Sequence, residues 1–196
     1  TRVAYEIVDR TGLEDAARIT TTFDPSDETV FFNFVRIHRN DEMLDRLADA
    51  EITILRQEDQ LERSLLDGNL TAVIQLEDVR VGDVVEYGLS GHVESKLWPD
   101  QLFDFAQVEF AVPLAQLHFS AWVPEGFELH TRAIGTDVEP EITNIDGGQL
   151  YTVHIRDNDP VRYEENVPEN WITYGYVSFS SMDGWSDVVD WALPLY

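Results

Sequence analysis

A period of two in the apolar residues recurs along most of the chain, and no other feature constrains its fold as strongly. Ala72, Ile74 and Leu76 stand at every second position, and a second β-branched run begins at Val84. Such alternation is typical of β-strands, in which successive side chains point to opposite faces. The pair Gly82-Asp83 lies between the two runs and favours a turn. We therefore predict two paired strands here, near the middle of a sheet.

The same alternation predicts strands on both sides of this region. Turn residues separate them at a spacing of about ten residues, which is typical of a sandwich. The predicted strands are 3–7 and 17–23, which form an opening hairpin, and then 30–38, 52–55, 103–112, 117–123, 127–133, 151–155 and 174–180. The segment 58–66 is compatible with helix or strand, and we interpret it as a strand that pairs with 71–76.

The tail of the chain changes period. Trp185, Val188, Val189 and Ala192 fall on one face of a short helix, which Pro194 ends. Together with the strands, this predicts an all-β fold. We expect an antiparallel two-layer sandwich of the immunoglobulin-like or a related kind, with a short C-terminal helix.

The charge and the cysteine content exclude several classes of function. The chain has 38 acidic residues against 13 lysines and arginines, a formal net charge of −25. A field of this sign repels phosphate groups, so we expect no nucleic-acid partner. An acidic surface of this kind keeps a protein soluble, and the alternative is attraction of a basic partner or of cations. No apolar run is long enough for a membrane-spanning helix. Without cysteine, a disulfide framework, a thiolate zinc site and a cysteine nucleophile are excluded.

Two blocks of sequence resemble the DUF3857 family, FNFVRIHRNDEMLDRLADAEITILRQE and then LLDGNLTAVIQLEDVRVGDVVEY. This family is the β-rich domain found at the front of many bacterial transglutaminase-like proteins. The resemblance implies that residues 1–182 form a DUF3857-like β-sandwich. It also implies that residues 183–196 hold the helix at the start of a transglutaminase-like domain. The family usually has a glycine where this chain has Asn40-Asp41, and asparagine tolerates the left-handed backbone that such a turn needs.

The resemblance implies a non-catalytic N-terminal accessory domain. It would position a downstream transglutaminase-like domain of the same chain, of the cysteine protease or amidase type, or the substrate of that domain. The parent protein would be periplasmic or extracellular in a bacterium and tethered to a membrane through the rest of its chain. Transglutaminase-like chemistry uses Cys, His and Asp, so this cysteine-free chain cannot perform it alone. We expect no enzymatic activity and no cofactor of its own.

An acidic segment is the candidate metal site. Asp157, Asp159, Glu164 and Glu165 offer the oxygen ligands that calcium prefers, although their spacing matches no EF-hand. A turn with solvated carboxylates explains the same residues without a metal. Calcium is therefore the one cofactor that the sequence leaves open.

Aromatic side chains are the candidate ligand site. Trp98, Trp171, Tyr174 and Tyr176 are candidates for a face that binds a glycan or a peptide, and packing within strands is the alternative explanation. A second hypothesis for function follows, a free-standing glycan- or peptide-binding β-sandwich module stabilised by calcium. The segment Gly88-Leu89-Ser90-Gly91-His92 resembles a nucleophile elbow only superficially, because it lacks the second glycine in register and the strand-turn-helix context.

Overall fold

The structure is a computed structural model that describes residues 1–56, 68–162 and 174–195. It divides into two compact units, Thr1–Pro99 and Asp100–Tyr196. The strands in these described residues form four sheets, two in each unit, and neighbouring strands among them are antiparallel. The predicted all-β antiparallel class with a short C-terminal helix is confirmed. The predicted domain boundary between residues 182 and 183 stays a prediction.

In the first unit, residues 1–56 and 68–99 form seven strands and one short helix. They are β1 (Arg2–Glu6), α1 (Leu13–Ala16), β2 (Arg18–Phe23), β3 (Glu28–Arg39), β4 (Glu42–Asp45), β5 (Ile52–Arg56), β6 (Leu70–Gln75) and β7 (Val84–Val93). One sheet has the order β1-β7-β3-β4, and the other has the order β2-β6-β5. Val35, Ile37 and Val85 from the first sheet and Ile19 and Ile74 from the second are almost fully buried in one core. The two sheets are therefore the two layers of this unit.

The prediction that the runs near residues 72 and 84 pair with each other is wrong. β6 lies between β2 and β5, whereas β7 lies between β1 and β3 in the other sheet. The intervening loop passes through left-handed backbone at Asp78 and Gly82, with φ of 54° and 90°, and carries the chain between the layers. The predicted opening hairpin is wrong for the same reason, since β1 pairs with β7 and β2 with β6. Alternation identifies a strand but does not encode its partner.

The turn of the hairpin between β3 and β4 is explained by its own two central residues. Asn40 and Asp41 both have positive φ, 49° and 65°, as the two central residues of a tight hairpin turn require. Arg39 pairs with Glu42 across this turn. The expected left-handed turn at Asn40-Asp41 is confirmed. The predicted strand at 58–66 lies outside the described residues.

In the second unit, the described residues 100–162 and 174–195 form six strands and a C-terminal helix. They are β8 (Phe103–Gln107), β9 (Leu114–Pro124), β10 (His130–Ile134), β11 (Glu141–Ile145), β12 (Gly148–Asn158), β13 (Tyr176–Ser180) and α2 (Trp185–Ala192), followed by a 3-10 turn at Leu193–Leu195. The sheets have the orders β10-β13-β8 and β11-β12-β9. Their shared core includes Phe179, whose ring stacks on Phe119 with centroids 4.8 Å apart.

The C-terminal helix forms where its period predicts. α2 begins at Trp185 and ends at Ala192, and Pro194 lies in the turn that follows it. Trp185 is 83% exposed, and Val189 is also exposed. Within the described part of the chain, no helix is long and apolar enough to cross a membrane.

Candidate functional site

An aromatic patch made of Phe103, Phe105 and Tyr176 lies on the outer face of the second unit. Phe103 and Phe105 are two residues apart on β8, so their side chains point to the same face. They are 50% and 59% exposed, which is unusual for phenylalanine. Tyr176 lies on the neighbouring strand β13, and its ring meets that of Phe105 edge to face with centroids 5.8 Å apart.

Polar side chains border the aromatic patch. In the register of the sheet, Phe105 lies beside Ser178, and Ser178 lies beside Arg132 on β10. On β8, the Asp104 carboxylate accepts a hydrogen bond from the Phe105 backbone N–H at 2.7 Å. Exposed rings beside hydroxyl and guanidinium groups suit a peptide or a sugar ring.

Of the predicted ligand-binding aromatics that the structure describes, only Tyr176 lies in this patch. Tyr174 is half-buried two residues before it. Trp98 belongs to the first unit, where its backbone N–H donates to the Ser95 hydroxyl at 3.0 Å. Trp171 lies outside the described residues. Sequence reasoning assigned Phe103 and Phe105 to a strand but missed their exposure, since alternation shows that two residues share a face and not which face is buried.

The predicted calcium site is described only in part. Asp157 and Asp159 are both exposed, and Asp157 has a positive φ of 50°. Between them, the Asn158 side-chain amide donates to the Val108 carbonyl oxygen at 3.0 Å. Glu164 and Glu165 lie outside the described residues. The residues that the structure does describe contain no group of three or more His, Cys, Asp or Glu that could hold a metal. The calcium site stays a prediction.

Asp83 is a buried carboxylate, which the sequence analysis treated only as a turn residue. It is 1% exposed, and its two oxygens accept hydrogen bonds from Arg39 Nε at 2.8 Å and Arg39 Nη2 at 2.7 Å. The Arg80 backbone N–H donates to it as well, at 2.8 Å. The hydrogen bonds from Arg39 hold the pKa of Asp83 below its ordinary value. A carboxylate held in this way closes the loop before β7 and does not act as a general acid near neutral pH.

Glu86 is a second buried carboxylate, on the outward face of β7. It is 3% exposed and is covered by the side chains of Arg2 and His38. His38 Nε2 lies 2.7 Å from Glu86 Oε2, and Arg2 Nε donates to Glu86 Oε1 at 2.6 Å. These hydrogen bonds, with that of His38 the strongest, lower the pKa of Glu86. The arrangement joins β1, β3 and β7 across the sheet and leaves the carboxylate without access to a substrate.

The segment 88–92, which superficially resembles a nucleophile elbow, does not pair its serine with its histidine. The Ser90 hydroxyl donates to the Asn33 side-chain oxygen at 3.1 Å. His92 Nε2 instead pairs with Glu94, at 3.0 Å. Ser90 therefore has no hydrogen bond to the histidine that would activate it, and the segment is part of the strand β7.

The described residues of the first unit line a polar groove and an apolar groove. The larger, about 680 Å³, is polar and is lined by Glu14, Asp15, Arg18, Thr20, Thr22, Thr71 and Gln75. The smaller, about 260 Å³, is mostly apolar and is lined by Phe23, Val30, Phe31, Phe32, Leu47, Ile52, Ile54 and Ala72. Of the predicted site residues that the structure describes, none lines either groove.

Comparisons with known proteins identify a family and a fold. Residues 1–162 match DUF3857, a domain of unknown function with a solved structure. A search of curated proteins found no match. The crystal structure of a putative protease from Parabacteroides distasonis ATCC 8503 has a similar fold, with a TM-score of 0.79 and 14% sequence identity. The similarity covers 93% of this chain and 36% of that protein, so this chain spans about a third of its length.

Proposed function

The chain belongs to the DUF3857 family, and from that premise we propose that it is a non-catalytic accessory region of a longer enzyme. It positions a transglutaminase-like domain of the cysteine protease or amidase type, or the substrate of that domain. The observation that carries this proposal is the match in fold to 36% of a much longer putative protease. In that protein, the fold of this chain is one part of a longer polypeptide.

The chemistry of the chain supports a role in positioning. It contains no cysteine, so the thiolate nucleophile of a transglutaminase-like reaction has to come from elsewhere. The two buried carboxylates, Asp83 and Glu86, are held by arginine and histidine side chains with lowered pKa values, which suits structural ion pairs. The aromatic patch presents two phenylalanine side chains that are at least half exposed on one face of a sheet, and we assign it to the contact with substrate or enzyme.

The setting of the parent protein is part of the same proposal. We place it in the periplasm or outside the cell of a bacterium, tethered to a membrane through the rest of its chain. The strongly acidic composition suits a soluble surface in such a compartment. We assign no cofactor to the chain, and calcium belongs only to the second candidate function.

The coding sequence that follows Tyr196 tests this proposal first. A domain with Cys, His and Asp in transglutaminase-like order is expected there, and a parent gene without one overturns the proposal. The second test is kinetic and uses the full-length parent. Phe103→Ala with Phe105→Ala should raise KM for peptide substrates and leave kcat unchanged, because a positioning surface contributes only uniform binding.

A matched control shows whether the kinetic effect belongs to the aromatic patch. Val112 is 62% exposed in the same unit and lies outside the strands of that sheet. Val112→Ala should leave both kinetic constants at their wild-type values. Equal effects of the patch variant and of the control would remove the patch from the proposal.

The exposed aromatic patch also favours a second candidate function, a glycan- or peptide-binding module that works without a catalytic domain. Stacking of Phe105 and Tyr176 on a sugar ring or a peptide side chain would provide the affinity. Isothermal titration of the chain with glycan and peptide libraries tests it. Binding that Phe105→Ala abolishes supports the module, and a lack of binding by the folded chain rejects it.

A further inference from the structure

Two histidines lie side by side on the outer face of the β11-β12-β9 sheet, the sheet of the second unit that does not carry the aromatic patch. His118 on β9 is directly opposite His154 on β12 in the register of the sheet. Their rings meet edge to face with centroids 5.8 Å apart. Both residues are exposed, and β9 is an edge strand, so the pair is open to solvent from the face and from the side.

The spacing of the rings suits a shared metal ion. Zinc binds imidazole nitrogen at about 2.0–2.1 Å, so two rings on one tetrahedral ion have centroids about 5 Å apart. The observed separation of 5.8 Å is close to this value. The rings meet at an interplanar angle of 73°, so binding one ion through both rings requires rotation about the side-chain torsions of His118 and His154. Cross-strand neighbours in a sheet are held at a fixed distance by the backbone, which reduces the entropy lost on chelation.

Arg156 lies beside one of the two rings. Its Nε donates a hydrogen bond to His154 Nε2 at 3.3 Å. A metal ion bound through Nε2 would use the lone pair that accepts this hydrogen bond. Arg156 is exposed and can move away, but its positive charge and its hydrogen bond compete with a cation.

We propose that His118 and His154 form a two-imidazole site for a first-row transition metal ion. Copper, zinc and nickel are the ions that imidazole ligands prefer, whereas calcium takes oxygen ligands. With two protein ligands, water fills the remaining positions, and the ion is exchangeable. This site is independent of the proposed accessory role and of the predicted calcium ligands.

Calorimetric titration of the chain with Cu²⁺, Zn²⁺ and Ni²⁺ tests the proposal. One ion should bind per chain, with Cu²⁺ the tightest, and an excess of Ca²⁺ should not displace it. His118→Asn and His154→Asn should each weaken Cu²⁺ binding by about tenfold or more. The hyperfine pattern of bound Cu²⁺ in electron paramagnetic resonance should show two imidazole nitrogens. Wild-type affinity in either histidine variant overturns the proposal.

Two further variants separate this site from general attraction of cations by an acidic protein. Arg156→Gln should strengthen Cu²⁺ binding severalfold, because it removes the competing donor and its charge. His92→Asn should leave the affinity unchanged, since His92 lies in the first unit beside Glu94. Unchanged or weaker binding in Arg156→Gln, or an equal loss in His92→Asn, contradicts the assignment. Circular dichroism of each variant confirms that it is folded.

Discussion

Replacing Asp83 by asparagine tests whether the hydrogen bonds to this buried carboxylate stabilise the first unit. Asp83 is 1% exposed and accepts three hydrogen bonds, two from the Arg39 guanidinium and one from the Arg80 backbone N–H. Asparagine keeps the shape of the side chain but can accept through one oxygen only, so one or two charge-assisted hydrogen bonds are lost. Because each contributes about 1.5–3 kcal/mol, we expect the free energy of unfolding to fall by about 2–4 kcal/mol.

Asp78 provides a matched control for this substitution. It also binds Arg39, with Oδ2 3.0 Å from Nη1, but its side chain is 50% exposed. Ion pairs in that position contribute little because water screens them. We therefore expect the free energy of unfolding of Asp78→Asn to be close to that of the wild type. Urea unfolding followed by circular dichroism, with calorimetry as a second probe, measures both variants. Equal losses of stability would refute the argument from burial.

The pH dependence gives the same substitution a second test. The hydrogen bonds from Arg39 lower the pKa of Asp83 from its ordinary value of 3.8, so the folded state releases this proton more readily than the unfolded chain. The stabilisation is therefore present above the ordinary pKa and is lost as the pH falls through the lower pKa of the folded state. The stability gap between wild type and Asp83→Asn should be constant at neutral pH and should narrow in acid. A gap that stays constant in acid contradicts this account.

Three further predictions concern packing, alkaline pH and metal removal. In Gly148→Ala the new methyl group would overlap the Val123 backbone oxygen, and we expect a loss of about 1–3 kcal/mol in thermal unfolding. Gly12→Ala, with no atom within 4 Å of the new group, is its control and should melt at or above the wild-type temperature. Burial raises the pKa of Tyr5 from 10.0 to about 12, so its contribution to stability is complete below pH 10 and is lost as the pH rises towards 12. Tyr5→Phe should remove this part of the loss of stability at alkaline pH. A dependence of the free energy of unfolding on alkaline pH that is the same in Tyr5→Phe and in the wild type would contradict this prediction. If the chain works as proposed, calcium and EDTA should leave the melting temperature unchanged, whereas a rise with calcium would support the predicted acidic site.

Local features of the fold were predictable because they depend on neighbouring residues. The strand predicted at 30–38 corresponds to β3, Glu28–Arg39, where aromatic and β-branched residues are dense. The turn at Asn40-Asp41 follows from the tolerance of asparagine and aspartate for positive φ. The helix predicted from the period of Trp185, Val188 and Ala192 is α2. Each of these is decided within a few residues of sequence.

Strand pairing and burial were not predictable in the same way. β6 and β7 have the alternation of two hairpin strands, yet they lie in different layers, because the partner of a strand depends on the packing of the whole unit. The roles of Asp83 and Glu86 depend on Arg39, Arg2 and His38, which lie 44, 84 and 48 positions away in sequence. A carboxylate in a strand or turn gives no sign in the sequence that an arginine so distant will bury it.

The buried residues fall into two separate sets, one in each half of the chain, and this has a consequence for synthesis of the protein. The last strand that the first core needs is β7, which pairs with both β1 and β3 and ends at Val93. All its partners have left the ribosome by the time β7 emerges. The first core can therefore close while the second half is still being translated, which shortens the time that its apolar strands spend exposed to other nascent chains. In the cell, the first core can therefore form before the second.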